Sequence, residues 1–530
     1  MSISKKDKYF RLLKQKQEKK ELLDSYLRGG HRAPKSRREF LASGLLSFTG
    51  SLLAPTIPQL ISSSAWAQEV ECSESTDNSL PVFVHLQLAG GAALFANALP
   101  CKNNGAQFDN YARLGMGPQP NRANFFANNA PFWTQSSTSM GSPMFNQFFS
   151  VLTASNDMDI VNQAAFIQIS AESIDDTANN AQDISGMLQA AGLAGSQLPY
   201  LSAAGTNRFK GAVLPSANLL RSNSVAAIEG SIQYSGALGS FDGGNNKVAE
   251  IHGVLAQLIE NLNKYQVEQM ARQPNSHESQ KTFRNLIQCA SQKNTSIQGQ
   301  SPIVDIFASN YPGGNDLATV WNKNGVISNT LIDQVSHSIG ACMSGMSPAA
   351  IIALGGYDYH VGRTRAQANA KDLETGDVLA RILQSAKRRN KKIFVFISTD
   401  GSLNSPNDSG ADETVNWTGD VANRSMGYIL AYDPTGTVST SGFNGGSYQD
   451  SSFQLNHFDP DYSVSNVNPM GAIDANDLYA SAVFLNYLNF AGKANLIDKA
   501  ELSAVKAKLE SAVPSGVNIF DYFTRIKGVS

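Results

Sequence analysis

The C-terminal half of this sequence predicts an α/β fold, a three-layer sandwich with a mostly parallel central sheet. Lys392-Ile393-Phe394-Val395-Phe396-Ile397-Ser398 is a continuous apolar run of strand length. It lacks the alternation of a half-exposed strand and fits a central strand buried on both faces. A long helix over 366–390 precedes it, and before that Ile351-Ile352-Ala353-Leu354 reads as a short buried strand closing on Gly355-Gly356. Strand, helix, strand in this order is how a parallel sheet acquires its covering helices.

Taken from the N-terminal side, Val82-Phe83-Val84-His85-Leu86-Gln87-Leu88 reads as a strand running into Ala89-Gly90-Gly91. In extended backbone Val82, Val84, Leu86 and Leu88 share one face and Phe83, His85 and Gln87 the other, which makes His85 a core histidine that needs a hydrogen-bond partner. Asp159-Ile160-Val161-Asn162 is a second strand candidate. Ile174-Asp175-Asp176-Thr177 then opens a helix over 178–190 with an acidic, hydroxyl-bearing start. From about 192 to 245 the composition turns to Gly, Ser, Asn and Ala, expected to form irregular surface or an elaborated cap. Over 248–272, Ile251, Leu255, Leu258, Ile259, Leu262 and Tyr265 recur at helical spacing as one apolar stripe, which core packing explains. Loop chemistry returns over 310–324. In the last third, Lys387-Arg388-Arg389 sit in the final turn of the long helix, where cations suit the macrodipole. A further strand follows at 427–432, and amphipathic helices at 476–490 and 499–513 finish the chain.

The N-terminal segment carries an address. Ser36-Arg37-Arg38-Glu39-Phe40-Leu41 leads into a charge-free, moderately apolar run that closes on Ala65-Trp66-Ala67. Paired arginines ahead of such a run, with Phe40 and Leu41, resemble the twin-arginine export signal of bacteria. Ala65 and Ala67 form the small-residue pattern that a signal peptidase cuts. The run is also long enough to span a bilayer, but Gly44, Gly50, Pro55, Pro58 and three consecutive serines dilute it, which favours cleavage over anchoring. The chain therefore divides into residues 1–67, a signal with a long basic leading arm, and residues 68–530, a single α/β domain with a loop-rich elaboration at about 192–330. The expected partners of export are the twin-arginine translocase and the signal peptidase, and the expected location is the periplasm or cell envelope.

Removing the signal changes the electrostatics. Of 42 basic and 44 acidic groups, 13 and 5 lie at or before residue 40 and none over 41–67, so the body carries 29 against 39, a net charge of −10. An acidic body argues against binding nucleic acid or anionic lipid and is compatible with divalent cations or with solubility alone. Four cysteines remain, Cys72, Cys101, Cys289 and Cys342. In an oxidising compartment they allow two bridges, Cys72–Cys101 and Cys289–Cys342 being the neighbouring choice, with buried thiols as the alternative. There is no CxxC pair, GxSxG elbow, HExxH helix or P-loop.

Ligands of open parallel sheets sit at the carboxyl ends of strands. Four such ends carry chemistry: Gly90-Gly91-Ala92-Ala93, Gly355-Gly356-Tyr357-Asp358-Tyr359-His360, Ser398-Thr399-Asp400-Gly401 and Thr418-Gly419-Asp420. Asp358 and His360, two apart, point the same way if extended. With Asp400 and Asp420 they compose a one-histidine, three-carboxylate set of the kind that manganese, magnesium or calcium prefers, with one divalent ion as the cofactor. Acidic residues at strand ends also cap helices and shape turns. His457, in Asn456-His457-Phe458-Asp459-Pro460-Asp461, reads as a solvent-exposed turn.

These residues resemble the landmarks of one bacterial group. Gly90-Gly91-Ala92 after the first strand, Ala181-Gln182-Asp183-Ile184 early in a helix, and the Gly-Gly-Tyr-Asp-Tyr-His stretch ending at His360 are similar to the pattern of a family exported by the twin-arginine route. That family is known as domain of unknown function 1501 and is itself similar to alkaline phosphatases and sulfatases. The resemblance runs from about Val82 to Asp433 and implies an alkaline-phosphatase-like sandwich. In such enzymes metals held by Asp and His activate a Ser or Thr at a helix start, which attacks phosphorus or sulfur; Thr177 stands at that place, where it also suits a plain N-cap. Several positions depart from the pattern. Ala93 replaces an acid after the first strand, Ala178 a histidine, and Val421 the second residue of an Asp-His pair; Asp400 is offset by one and its companion arginine is missing. The implied function is an eroded member that binds or serves in the envelope, or else a hydrolase of phosphate or sulfate esters with a single retained metal at Asp358, His360 and Asp420.

Overall fold

The computed structural model describes most of the chain from Leu80 to Lys527, with gaps chiefly at 103–141, 172–183, 204–218, 222–304, 404–415, 441–453 and 466–474. The export segment, Cys72, Cys289 and the stripe over 248–272 lie outside the described residues. All described elements belong to the compact unit Gln59–Ser530.

In chain order these elements are β1 (Val82–Leu88), α1 (Pro143–Ala154), α2 (Asp159–Gln163), β2 (Ala164–Ser170), α3 (Ser185–Ala190), β3 (Tyr200–Ala203), β4 (Leu219–Arg221), α4 (Asp316–Val320), α5 (Asn329–Met343), β5 (Ala349–Leu354), β6 (Val361–Thr364), α6 (Arg365–Arg388), β7 (Ile393–Thr399), β8 (Asn416–Thr418), β9 (Met426–Tyr432), β10 (Ser439–Thr440), β11 (Gln454–Leu455), α7 (Ala475–Phe490), α8 (Ser503–Ala512), α9 (Ile519–Phe523) and β12 (Ile526–Lys527). Eight strands form one sheet in the order β11-β2-β9-β7-β1-β5-β3-β4. Only β9 runs against the rest, pairing antiparallel with both β2 and β7. The fold is thus a three-layer α/β sandwich with a mostly parallel sheet, as the composition of its strands predicts.

Alternation within the strands builds the two outer layers. Val82, Val84, Leu86 and Leu88 of β1 join Ile393, Val395 and Ile397 of β7 in a core that also takes Phe145 and Phe148 of α1 and Leu379 and Leu383 of α6. Phe83, Phe394 and Phe396 face the other way, into a core with Leu478, Val483 and Leu485 of α7 and Leu509 of α8. Helix starts follow local chemistry. Ser142 accepts a hydrogen bond from the Phe145 amide at 3.2 Å ahead of Pro143, and Ser328 accepts one from Leu331 at 3.3 Å. Helices α1 and α6 approach closely because residue 376 is glycine: a Cβ there would lie 2.9 Å from the Met144 carbonyl carbon.

Four expectations need correction. The apolar pair Ile160-Val161 belongs to helix α2, and the strand starts at Ala164, where seven consecutive residues from Ala164 to Ser170 match Tyr432 to Met426 in register. A seven-residue ladder satisfies more backbone groups than a four-residue one. The stretch from 192 contributes to the main sheet, since Leu201, Ser202 and Ala203 pair with Ala350, Ile351 and Ile352, and β4 pairs with β3. The expected loop over 310–324 contains α4, anchored by buried Leu317 and followed by buried Trp321. His457 is buried, not exposed, with Nε2 3.5 Å from Asp459. Burial lowers the His457 pKa against the opposing pull of Asp459. Cys342 is a free, buried thiol, the alternative the sequence left open, and burial pushes its pKa up to about 12; Cys101 is buried as well.

Candidate functional site

The carboxyl ends of β1, β5 and β7 lie side by side and are tied to one another. Thr399, the last residue of β7, accepts a hydrogen bond from the Ala92 amide at 2.7 Å and donates to the Leu88 carbonyl at 3.1 Å. The Ala89 amide donates to Leu354 at 2.9 Å, and the Tyr357 amide donates to Ala89 at 3.1 Å, closing the turn after β1 onto the turn after β5. Between them Gly90 adopts φ +113° and Gly91 φ +94°, in the region L side chains avoid. Gly90 also makes room. A Cβ there would overlap the Asp358 carboxylate, with Cγ 2.6 Å and the Asp358 amide nitrogen 2.8 Å away.

Asp358 is thereby held against the end of β1, partly exposed. Its two neighbours turn inward. Tyr357 and Tyr359 are buried beneath α6. The Tyr357 hydroxyl lies 2.7 Å from Thr375 Oγ1 and 3.0 Å from the Lys371 carbonyl, and burial raises its pKa well above the ordinary phenol range. The Tyr359 hydroxyl lies 3.0 Å from both Asp372 Oδ1 and the Ala368 carbonyl. Asp372 also accepts from Asn97 at 2.8 Å, and Asn97 accepts from the Ser142 hydroxyl at 2.9 Å. The inward tyrosines thus lock the backbone that presents Asp358 to the sheet end.

Among the described residues, two apolar side chains also stand at that end. Ala93, where the family resemblance places an acid, is buried and begins a short 3-10 turn with buried Leu94, Phe95 and Ala96. Leu403 is fully buried, its Cδ2 3.5 Å from where a Cβ on Gly91 would stand. Neither side chain offers a lone pair to a cation.

Among the predicted site residues, Asp358 stands at the sheet end. His360, Asp400, Asp420 and Thr177 lie outside the described residues, as do Arg37, Arg38, Phe40, Leu41, Ala65 and Ala67 of the export signal. Among the described residues no group of three or more His, Cys, Asp or Glu side chains is gathered around one point. The β6–β8 ribbon is described: Val361, next to His360 in the chain, pairs antiparallel with Thr418, two residues before Asp420.

Sequence reasoning places His85 in the core with a partner, and it lies there. Its Nε2 is 2.8 Å from Ser398 Oγ, its ring stacks on Phe396 with centroids 4.5 Å apart, and Gln87 Nε2 is 3.4 Å from its Nδ1. Full burial lowers its pKa to about 3, so the imidazole is neutral at any physiological pH. Asp372 and its links to Asn97 and Tyr359 escaped the sequence reading. The Asp372 position is one turn of α6 past Ala368, a spacing that alone does not distinguish a buried acid from a solvated one.

Compared with known proteins, the chain matches no family model, no curated protein and no solved structure.

Proposed function

We propose that this protein is an exported, periplasmic or envelope-associated body of the alkaline-phosphatase-like class, eroded at its catalytic end, that acts by binding and not by hydrolysis. The observation that carries this reading is the apolar closure of the β1 end, with Ala93 buried and Leu403 seated over Gly91. Hydrolysis of phosphate or sulfate esters on this architecture requires cations to neutralise the charge that develops on the transferred group, and these side chains supply no ligand. The acidic body left after removal of the signal suits a soluble exported protein and opposes nucleic-acid binding.

A second reading keeps one divalent ion at Asp358, His360 and Asp420, with Asp400 as a further ligand and Thr177 as nucleophile. Two observations favour it: Asp358 is partly exposed at the sheet end, and Val361 pairs with Thr418. The mature protein is to be assayed on chromogenic phosphate and sulfate monoesters with magnesium, manganese, calcium or zinc added. The binding reading predicts no turnover above the Asp358→Ala, His360→Ala variant. Metal-dependent turnover abolished in that variant establishes the hydrolase instead.

A further inference from the structure

We draw no further inference here: the strongest candidate, the hydrogen-bonded row of Ser398, His85 and Gln87 across β7 and β1 on the α7 side of the sheet, consists of side chains that are all fully buried, with no surface that a substrate or ligand touches, and it carries nothing beyond the core role already described.

Discussion

Gly90 and His85 show how much of this fold rests on single side chains, or on the lack of one. At Gly90 an added methyl meets both a positive φ and the Asp358 carboxylate. Gly90→Ala is expected to cost about 1–3 kcal/mol, read as a lower urea midpoint with an unchanged slope. An unaltered midpoint would show that the turn after β1 has room to spare. His85 is expected to contribute to acid stability. An unfolded histidine takes up its proton near pH 6.5, whereas burial keeps His85 neutral in the fold down to about pH 3. Over that window the unfolded chain binds the extra proton, so stability falls as pH falls, by up to about 1.4 kcal/mol per pH unit. Urea titrations from pH 7 to pH 4 should show this slope, and a His85→Gln variant should lose most of it. If the variant keeps the full slope, other groups carry the acid response. Alternation alone makes the inward placement of His85 legible in the sequence. Its partner Ser398 was not legible, because pairing of β1 with β7 is a long-range choice.

Among the elements, the best predicted are those whose apolar pattern is long: β1, β7, β9, α6 and α7. The helices α1 and α5 carry start signals at Ser142-Pro143 and Ser328, but a capping serine alone also suits a turn and does not single out a helix. The short strands β3 and β4 were illegible for another reason: three or four residues in Gly- and Ser-rich sequence become strands only because β3 finds the edge of β5, and β4 in turn the edge of β3. The basic end of α6 does more than suit a dipole. Arg388 grips Asp157 with both nitrogens, at 3.0 and 2.8 Å, and Lys387 reaches the same carboxylate at 2.9 Å. Burial opposes ionisation of Asp157, but these two cations outweigh it and hold its pKa below the usual carboxylate range. Asp157→Asn should destabilise by about 1–2 kcal/mol, discounted because both cations are partly exposed. The loss should shrink when wild type and variant are compared at an acid pH below the lowered pKa of Asp157 and not only at neutral pH, since the carboxylate itself is then protonated. An equal loss at both pH values would assign the effect to packing. The pair fixes the end of α6 to the segment entering β2, a link between elements that no local pattern announces.

At the scale of the whole molecule, the layers and the direction of the sheet are readable from composition and order, while the single reversed strand β9 is not, since an antiparallel central strand has the same buried, apolar look as its parallel neighbours. The candidate site divides the same way: the Gly-Gly turn and Asp358 are marked in the sequence, but the apolar lid of Leu403 follows only from how the chain returns after β7. Export is the property of the whole chain that its first 67 residues propose. Changing Arg37 and Arg38 to Lys should leave precursor in the cytoplasm, seen by fractionation, and normal delivery to the periplasm would refute the twin-arginine assignment. The central proposal, that this sheet end holds no catalytic metal, is tested most directly by elemental analysis of the mature protein after exhaustive dialysis against chelator-free buffer. The account predicts less than a tenth of an equivalent of any divalent transition metal, calcium or magnesium, the same in wild type and in the Asp358→Ala, His360→Ala variant. About one equivalent in the wild type that vanishes in the variant would contradict it.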